Sequence, residues 1–305
     1  MIPKDSKIYI AGHKGMVGSA CWRIFQSEGY SNLIGKTSNE LDLRDQLLVE
    51  NFFKKEQPEI VILAAARVGG IWANNEYSYE FLMDNLLIQN NLIKAAHENK
   101  VYKFIFLGSS CIYPKMAQQP IKEEFLLTSP LEKSNQWYAI AKIAGIKLVE
   151  SIRNQFNKDF VSLMPTNLYG PGDNYDLKTS HVLPALLRKY KEAKQNNSKE
   201  VIIWGTGKPL REFLHVDDLA KAVLFSVENK LPNFIYNVGS GEEISIKDLG
   251  LLISEIIGFN GKMKFDQTKP DGTPRKLLDS SKIRNLGFKN RISLKQGIIS
   301  TLKYI

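Results

Sequence analysis

Short apolar runs alternate with amphipathic stretches along the first half of this chain. Residues 7–11, 59–64 and 103–107 are nearly all apolar, which is typical of parallel strands that helices cover on both faces. The same reasoning predicts further strands at residues 32–36, 160–164 and 200–204.

The segments between these runs have apolar positions three and four residues apart, which predicts helices. Long helices are predicted over residues 75–99 and 134–157. Shorter ones are predicted over residues 19–28, 45–55, 182–194 and 216–228. Strands that alternate with helices predict an α/β fold with a Rossmann-type, doubly wound parallel sheet.

The regular alternation weakens after Tyr169, where Gly, Pro, Asp and Asn cluster through Asn174. We therefore predict a Rossmann domain over residues 1–170 and a smaller C-terminal α/β domain over residues 171–305. The segment near 216–230 is expected to pack back on the first domain.

A glycine-rich turn, Gly12-His-Lys-Gly15-Met-Val-Gly18, lies between the first predicted strand and the first helix. Glycine allows a tight turn and a close approach of a pyrophosphate, and the following helix presents free N–H groups and the positive end of its dipole. The spacing differs from the usual G-x-G-x-x-G, but its place between strand and helix predicts a dinucleotide site.

The residues after the second predicted strand bear on which dinucleotide binds. NAD sites usually place a carboxylate about 20 residues beyond the glycines, where it accepts from the ribose 2′-hydroxyl. Here Ile34-Gly-Lys-Thr-Ser38 contains no carboxylate before Glu40. Lys14 and Lys36 would suit a 2′-phosphate, which predicts NADP(H), unless both lysines are merely solvated.

Tyr138 and Lys142 are four residues apart in a predicted helix, so they share one face. A phenol has a reference pKa of about 10, and a lysine cation or an oxidised nicotinamide would lower it. Such a tyrosine can exchange a proton with a carbonyl oxygen during hydride transfer. Tyr190 and Lys194 have the same spacing, and we interpret that copy as a surface helix.

Charge and cysteine content narrow the class of protein. The 305 residues include 41 Lys+Arg and 32 Asp+Glu, a net charge of +9, which suits either polyanionic ligands or a lysine-rich surface. Cys21 and Cys111 give no disulfide framework, and no metal-ligand spacing is present, so we predict no metal site. Without a signal-like start or an apolar run of about 18 residues, a cytoplasmic protein is expected.

Several blocks in order resemble the extended short-chain dehydrogenase/reductases, a family that binds NAD(P) and often acts on nucleotide sugars. The glycine turn, Ser109 and Tyr138-x-x-x-Lys142 carry this resemblance. It extends through Gly108-Ser-Ser-Cys-Ile-Tyr-Pro-Lys115, Met164-Pro-Thr-Asn-Leu-Tyr-Gly170, Arg211-Glu-Phe-Leu-His-Val-Asp-Asp218 and Lys269-Pro-Asp-Gly-Thr-Pro-Arg-Lys276.

The resemblance is closest to members that act on a GDP-sugar, GDP-4-keto-6-deoxy-D-mannose. It implies epimerisation at C3 and C5, then reduction at C4 with NADPH. It also implies that Cys111 removes a proton and His181 returns one on the opposite face, while Ser109, Tyr138 and Lys142 stabilise the enolate. Taken alone, Cys111 could be a small buried hydrophobe and His181 a helix-start residue.

The resemblance also assigns binding positions. The implied cofactor contacts are Gly12, Lys14, Gly15, Met16, Val17, Gly18, Lys36, Asp42, Ala64, Ala65, Tyr138, Lys142, Pro165, Asn167, Leu168 and His181. The implied substrate contacts are Ser109, Asn167, Val182, Arg188, Trp204 and Arg211. The two arginines would clamp the diphosphate, although Arg188 also fits a solvated helix face and Trp204 a core aromatic.

Other reactions remain open at this point. Family dehydratases carry an Asp-Glu pair after the position of Ser109, where this chain has Ser110 and Cys111. A simple nucleotide-sugar 4-epimerase would leave Cys111 and His181 without a role, and another reductase of the family remains possible. A nucleic-acid-binding protein without turnover would not need Ser109, Tyr138 and Lys142, so nucleic acid is not an expected partner. A membrane is not expected either, because no apolar run of about 18 residues is present. The resemblance implies a homodimer formed through the two long helices.

Overall fold

A parallel sheet forms the centre of the computed structural model, which describes residues 2–177, 179–269 and 271–305, without the side chain of Ile71. Within that part, six strands pair in parallel in the order β2, β1, β3, β4, β5 and β9. Their bounds are β1 Ile8–Ala11, β2 Leu33–Ile34, β3 Ile60–Leu63, β4 Lys103–Leu107, β5 Asp159–Pro165 and β9 Ile235–Val238. Because β2 and β3 flank β1 on opposite sides, a crevice opens at the carboxyl ends of β1 and β3, where such sheets bind ligands.

Helices cover both faces of this sheet. Their bounds are α1 Met16–Ser27, α2 Gln46–Glu56, α3 Ile71–Glu76, α4 Ser78–Glu98, α5 Gln136–Phe156 and α7 Val216–Glu228. Helices α1 and α7 pack together on one face, and α2, α4 and α5 lie on the other. Alternate strand residues enter the two cores: Tyr9 and Val61 on one side, Ile8 and Ile60 on the other, as the period of a strand requires.

Ile283 packs in the core with α1 and α7, and most of the remaining elements surround another apolar cluster, around Leu187 and Leu249. Their bounds are β6 Asn167–Tyr169, α6 Val182–Gln195, β7 Glu200–Trp204, β8 Leu210–His215, β10 Glu243–Ser245, α8 Ile246–Ile257, β11 Lys262–Asp266, β12 Arg275–Lys276, α9 Ser281–Asn285 and α10 Leu294–Thr301. Strand β8 pairs with β6, β10 and β12, and β7 pairs with β11.

The buried carboxylate of Glu212 ties β8 to later segments of the chain. Its Oε1 accepts from the Gly241 N–H at 2.7 Å and its Oε2 from the Leu278 N–H at 3.0 Å. The backbone carbonyl of Glu212 also accepts from Asn167 Nδ2 at 2.9 Å. These bonds hold the segment around β12 against β8.

The predicted fold class is confirmed, with local corrections. The predicted strands at 103–107 and 200–204 and the helix at 216–228 have the observed bounds. The long helix predicted over 75–99 corresponds to α4, but its predicted start is wrong, because Tyr77, with φ −114° and ψ 42°, separates α3 from α4. The strand predicted at 32–36 is shorter, and Tyr190 packs in the core at 1% exposure rather than on a surface helix.

None of the helices in the described residues has both the length and the apolar character needed to cross a membrane.

Candidate active site

The glycine turn after β1 requires glycine at its first and last positions. Gly12 has φ +84°, and a Cβ there would lie 2.8 Å from the Ala65 backbone nitrogen. A Cβ on Gly18 would lie 2.1 Å from the Gly12 carbonyl oxygen. Any larger residue would therefore displace the turn from the ends of β1 and β3.

Gly15 differs from the other two glycines because space remains beside it. Among the described residues, the nearest atom to an added Cβ would be the Gly12 carbonyl oxygen, at 3.4 Å. Gly15 is the N-cap of α1, and none of the described side chains caps that helix. The first-turn N–H groups, which include those of Met16 and Val17, are thus available to a phosphate, so this cradle fits a dinucleotide.

The lysines expected near a 2′-phosphate lie beside a carboxylate that is already engaged. Lys14 is exposed, and Lys36 Nζ is 4.0 Å from Glu40 Oε1. Glu40 Oε2 accepts from the Thr37 N–H at 2.8 Å and from Thr37 Oγ1 at 2.7 Å, and these bonds lower the pKa of Glu40. A phosphate here would meet lysines rather than a free carboxylate.

Asp42, the other carboxylate expected near the cofactor, is also paired. Arg44 donates to both of its oxygens, at 2.9 Å from Nε and 2.8 Å from Nη2. These bonds lower the pKa of Asp42. Arg44 Nη1 also lies 3.5 Å from Asp84 Oδ1, and Asp84 pairs with Arg67. Asp42 therefore belongs to a network of ion pairs at the edge of the sheet.

The strand β4 ends at the residues that carry the predicted chemistry. Ser109 Oγ accepts from the Cys111 N–H at 3.3 Å, which begins a short 3₁₀ turn over Ser110–Ile112. Cys111 is 8% exposed. Burial raises the pKa of its thiol, and the charges of Lys276 and Lys142 together with a hydrogen bond from Ser109 lower it in part.

Tyr138 and Lys142 lie in α5, which packs against this 3₁₀ turn. Lys142 Nζ donates to the Leu107 carbonyl oxygen at 2.8 Å and lies 5.7 Å from the Tyr138 ring centroid. Burial lowers the pKa of Lys142 to about 8. The expectation of a lowered pKa for Tyr138 is wrong for the protein groups alone, because burial raises it.

His181 is the N-cap of α6 through its extended backbone, with φ −76°. Its side chain is accessible to solvent, and the protein around it and the Lys276 charge lower the pKa of the imidazole. The loop before His181 contacts the segment between β3 and α3, because the Gly70 N–H donates to the Thr179 carbonyl oxygen at 3.0 Å. Lys276 therefore acts electrostatically on both Cys111 and His181, which the sequence places 70 residues apart.

The predicted substrate residues occupy different settings. Arg211 is partly buried on β8, beside Asp271. Arg188 is engaged by Glu192 at 2.7 Å and by the Tyr175 carbonyl oxygen at 3.0 Å, so its face is not simply solvated. Trp204 is 60% exposed, which excludes the core alternative.

The other predicted contacts lie near these elements. Ala64 and Ala65 follow β3, Pro165 ends β5, Asn167 and Leu168 lie on β6, and Val182 begins α6. Strand β5 pairs with β4 and β9 in the central sheet, and β6 with β8. Strand β6 thus begins directly after β5 and joins the central sheet to β8.

Sequence reasoning missed Lys276, Asp271 and His13 as site residues. The block at 269–276 contained Lys276 and Asp271, but their roles depend on β12 pairing with β8, which no local pattern indicates. His13 packs so closely on Gly35 that a Cβ there would lie 2.3 Å from the ring. This contact fixes the glycine turn against the strand that precedes Lys36.

Comparison with known proteins shows the family. A family model described as the NAD dependent epimerase/dehydratase family matches residues 8–239. A protein of Arabidopsis thaliana named putative GDP-L-fucose synthase 2 is 56% identical over all of this chain and 93% of its own length. GDP-L-fucose synthase of Escherichia coli K12 is 49% identical over 98% of this chain and 96% of its own.

Solved structures agree with these relatives. A GDP-L-fucose synthetase from Naegleria fowleri bound to NADP has a TM-score of 0.92 and 32% identity, covering all of this chain and 93% of that one. A GDP-mannoheptose C4 reductase from Campylobacter jejuni with NADP bound has a TM-score of 0.93 and 40% identity, covering all of this chain and 99% of that one.

Because Gly15 and Gly18 have different surroundings, a substitution at Gly15 should affect NADPH binding, and one at Gly18 should affect the stability of the fold. Gly15→Ala is expected to raise the Kd for NADPH at least about tenfold with little change in stability, because only the space for the phosphate is lost. Gly18→Ala is expected to lower the free energy of unfolding by about 1–3 kcal/mol. Fluorescence titration with NADPH and urea unfolding measure the two effects. Wild-type NADPH affinity in Gly15→Ala would contradict the cradle.

Proposed function

This chain belongs to the NAD-dependent epimerase/dehydratase family, and we propose that it converts GDP-4-keto-6-deoxy-D-mannose to GDP-L-fucose with NADPH. The observation that carries the proposal is the shared electrostatic environment of Cys111 and His181, next to Ser109, Tyr138 and Lys142. The names of the relatives that are 49% and 56% identical support the same reaction.

The epimerisation needs two proton-transfer groups. Protons beside a ketone are acidic because the enolate spreads its charge onto the 4-oxygen, where Ser109 and Tyr138 donate hydrogen bonds. Cys111 removes a proton and His181 returns one on the other face. The raised pKa of the thiol and the lowered pKa of the imidazole keep both groups neutral near pH 7, so Cys111 acts as a base only when cations stabilise its thiolate.

The reduction at C4 uses the residues of α5. NADPH, when bound, supplies the hydride. Tyr138 gives its phenolic proton to the 4-oxygen, and the Lys142 ammonium stabilises the phenolate that forms. The lysines beside Glu40 and the uncapped start of α1 support NADP(H) as the cofactor.

The GDP part of the substrate binds on the C-terminal side. Arg211 and Arg188 bind the diphosphate, because guanidinium groups match phosphate oxygens. Trp204 offers an exposed ring to the base, and Lys189 and Lys269 lie 5.5 and 5.6 Å from its centroid. Asn167 and Val182 line the sugar between these parts.

A second candidate is reduction of a GDP-linked 4-keto sugar without epimerisation. The solved relative named a GDP-mannoheptose C4 reductase favours it. Under this alternative, Cys111 and His181 would have no proton to transfer, so hydrogen exchange at C3 and C5 distinguishes the two reactions.

Three further properties are proposals. The proposed Rossmann domain covers residues 1–170, of which residue 1 lies outside the described residues. The packing of α7 on α1 supports the return of the segment near 216–230 to this domain, and β9 also joins its sheet. The free thiols of Cys21 and Cys111 support a cytoplasmic location.

A homodimer through α4 and α5 is supported by their adjacent exposed apolar residues, which are Tyr79, Met83, Leu87, Trp137 and Ile140.

The function is tested by incubating the protein with GDP-4-keto-6-deoxy-D-mannose in D₂O and then adding NADPH. We expect deuterium at C3 and C5 by NMR and then oxidation of NADPH. Cys111→Ser should slow exchange about 100-fold or more while NADPH binding and folding are unchanged. NADPH oxidation without exchange would favour the reductase alternative, and absence of any reaction would overturn the proposal.

The lowered pKa of Lys142 predicts the pH dependence of reduction. Because Lys142 loses its proton as the pH rises through about 8, the phenolate of Tyr138 then loses its cationic neighbour, and kcat/KM should decrease above that pH. Lys142→Arg, which keeps its charge, should retain a flatter alkaline limb even if its maximal rate is lower. Identical alkaline limbs in both proteins would argue against Lys142.

The dimer proposal predicts that one charge on the apolar face separates the subunits. Leu87→Lys is expected to convert a dimer to a monomer, because a buried unpaired ammonium is costly at an interface. Leu251→Lys, the same substitution on α8, where Leu251 is 49% exposed, is the control outside α4 and α5. Light scattering measures the mass, and a wild-type monomer would refute the proposal.

A further inference from the structure

Cys111 lines a small pocket that also contains a residue without a role in the proposed reaction. The pocket lies at the end of β4, and its wall also contains Lys276 from β12. The other charged residues lining it are Lys115, Glu132 and Arg275. A thiol from the turn after β4 and an ammonium from β12 therefore line one cavity.

The backbone around Lys276 is held on two sides. In β12, Lys276 pairs with Arg211 of β8. On the other side, Leu277 N–H donates to Gln119 Oε1 at 2.8 Å, and Ile121 N–H donates to the Leu277 carbonyl oxygen at 2.8 Å. The position of Lys276 in the wall is thus determined by strands and loops that are distant in sequence.

The pocket cations differ in whether they have a partner. Lys115 pairs with Glu132 at 2.7 Å, and Arg275 pairs with Glu243 at 2.8 Å. Lys276 has no carboxylate within ion-pair distance in the described part of the chain. Burial and the charge of Arg211 lower the pKa of Lys276, and the charge of Cys111 raises it, so the thiolate and the ammonium favour each other. Its charge is consequently available to the thiol.

Of the two cations that lower the pKa of the Cys111 thiol, Lys276 has the larger effect and Lys142 the smaller. Ser109 accepts from the Cys111 N–H, and Tyr138 and Lys142 approach from α5. Lys142 donates to the Leu107 carbonyl oxygen and serves Tyr138. Among the pocket cations, Lys276 is therefore the one without a competing anion in the described residues.

We propose that Lys276 is a positioning residue whose unpaired ammonium stabilises the thiolate of Cys111, so that Cys111 can act as the base. The inference rests on the proposed function for the base role, but the thiolate stabilisation itself is a property of the protein without substrate. Arg211, which pairs with Lys276 in the register of β8 and β12, is a like charge that favours a negative group beside Lys276.

The test measures alkylation of Cys111 by iodoacetamide against pH, without substrate or NADPH, in wild type, Lys276→Met and Lys276→Arg. Peptide mass spectrometry separates Cys111 from Cys21, which is fully buried. Because the thiolate reacts and the thiol does not, Lys276→Met should slow alkylation about three- to tenfold at neutral pH. Lys276→Arg should restore most of the rate.

Lys115→Met is the matched control, because it removes a cation of the same pocket that already has an anionic partner. Its alkylation profile should match the wild type. Thiolate ultraviolet absorbance in the Cys21→Ala background gives a second readout that does not depend on access of the reagent, and near-ultraviolet circular dichroism checks folding.

The outcomes separate the possible roles of Lys276. Superimposable pH profiles for wild type and folded Lys276→Met would overturn the proposal, as would equal slowing in Lys115→Met. A higher KM for the GDP-sugar in Lys276→Met with unchanged alkylation would assign Lys276 to substrate binding instead. Because alkylation needs no substrate, failure of the proposed reaction leaves this result interpretable.

Discussion

The bond from the Lys142 ammonium to the Leu107 carbonyl oxygen, 2.8 Å long, holds the candidate site together. It joins α5 to the last residue of β4, immediately before Ser109 and Cys111. Burying an ammonium is costly unless it is hydrogen-bonded, and burial lowers the pKa of Lys142 to about 8. The same contact therefore fixes the geometry of Tyr138 and makes its cationic neighbour sensitive to pH.

Desolvation sets the resting state of the other groups in the same way. It raises the pKa of the Cys111 thiol and lowers that of the His181 imidazole. With both proton-transfer groups neutral, the site without substrate contains neither a thiolate nor an imidazolium, whose burial would be costly. The charges that shift this balance come from Lys276 on β12 and Lys142 on α5.

The C-terminal part of the chain supplies the charge of Lys276 through β8. Glu212 on β8 accepts from the Gly241 and Leu278 N–H groups, and β12 pairs with β8 beside Arg211. Buried donors without acceptors would each cost about 1–3 kcal/mol, so the carboxylate and the loops are held together. The wall of the candidate site is thus built by hydrogen bonds between residues far apart in sequence.

The sequence alone determined the α/β class, the glycine turn, and Tyr138 with Lys142, because apolar periodicity and glycine spacing are local properties. Tertiary structure decided the break at Tyr77, the burial of Tyr190 and the exposure of Trp204, since each depends on which surface packs against the residue. It also decided the directions of the pKa shifts and the place of Lys276 beside Cys111. Burial and long-range charge are sums over neighbours from many segments, and no short stretch of sequence contains them.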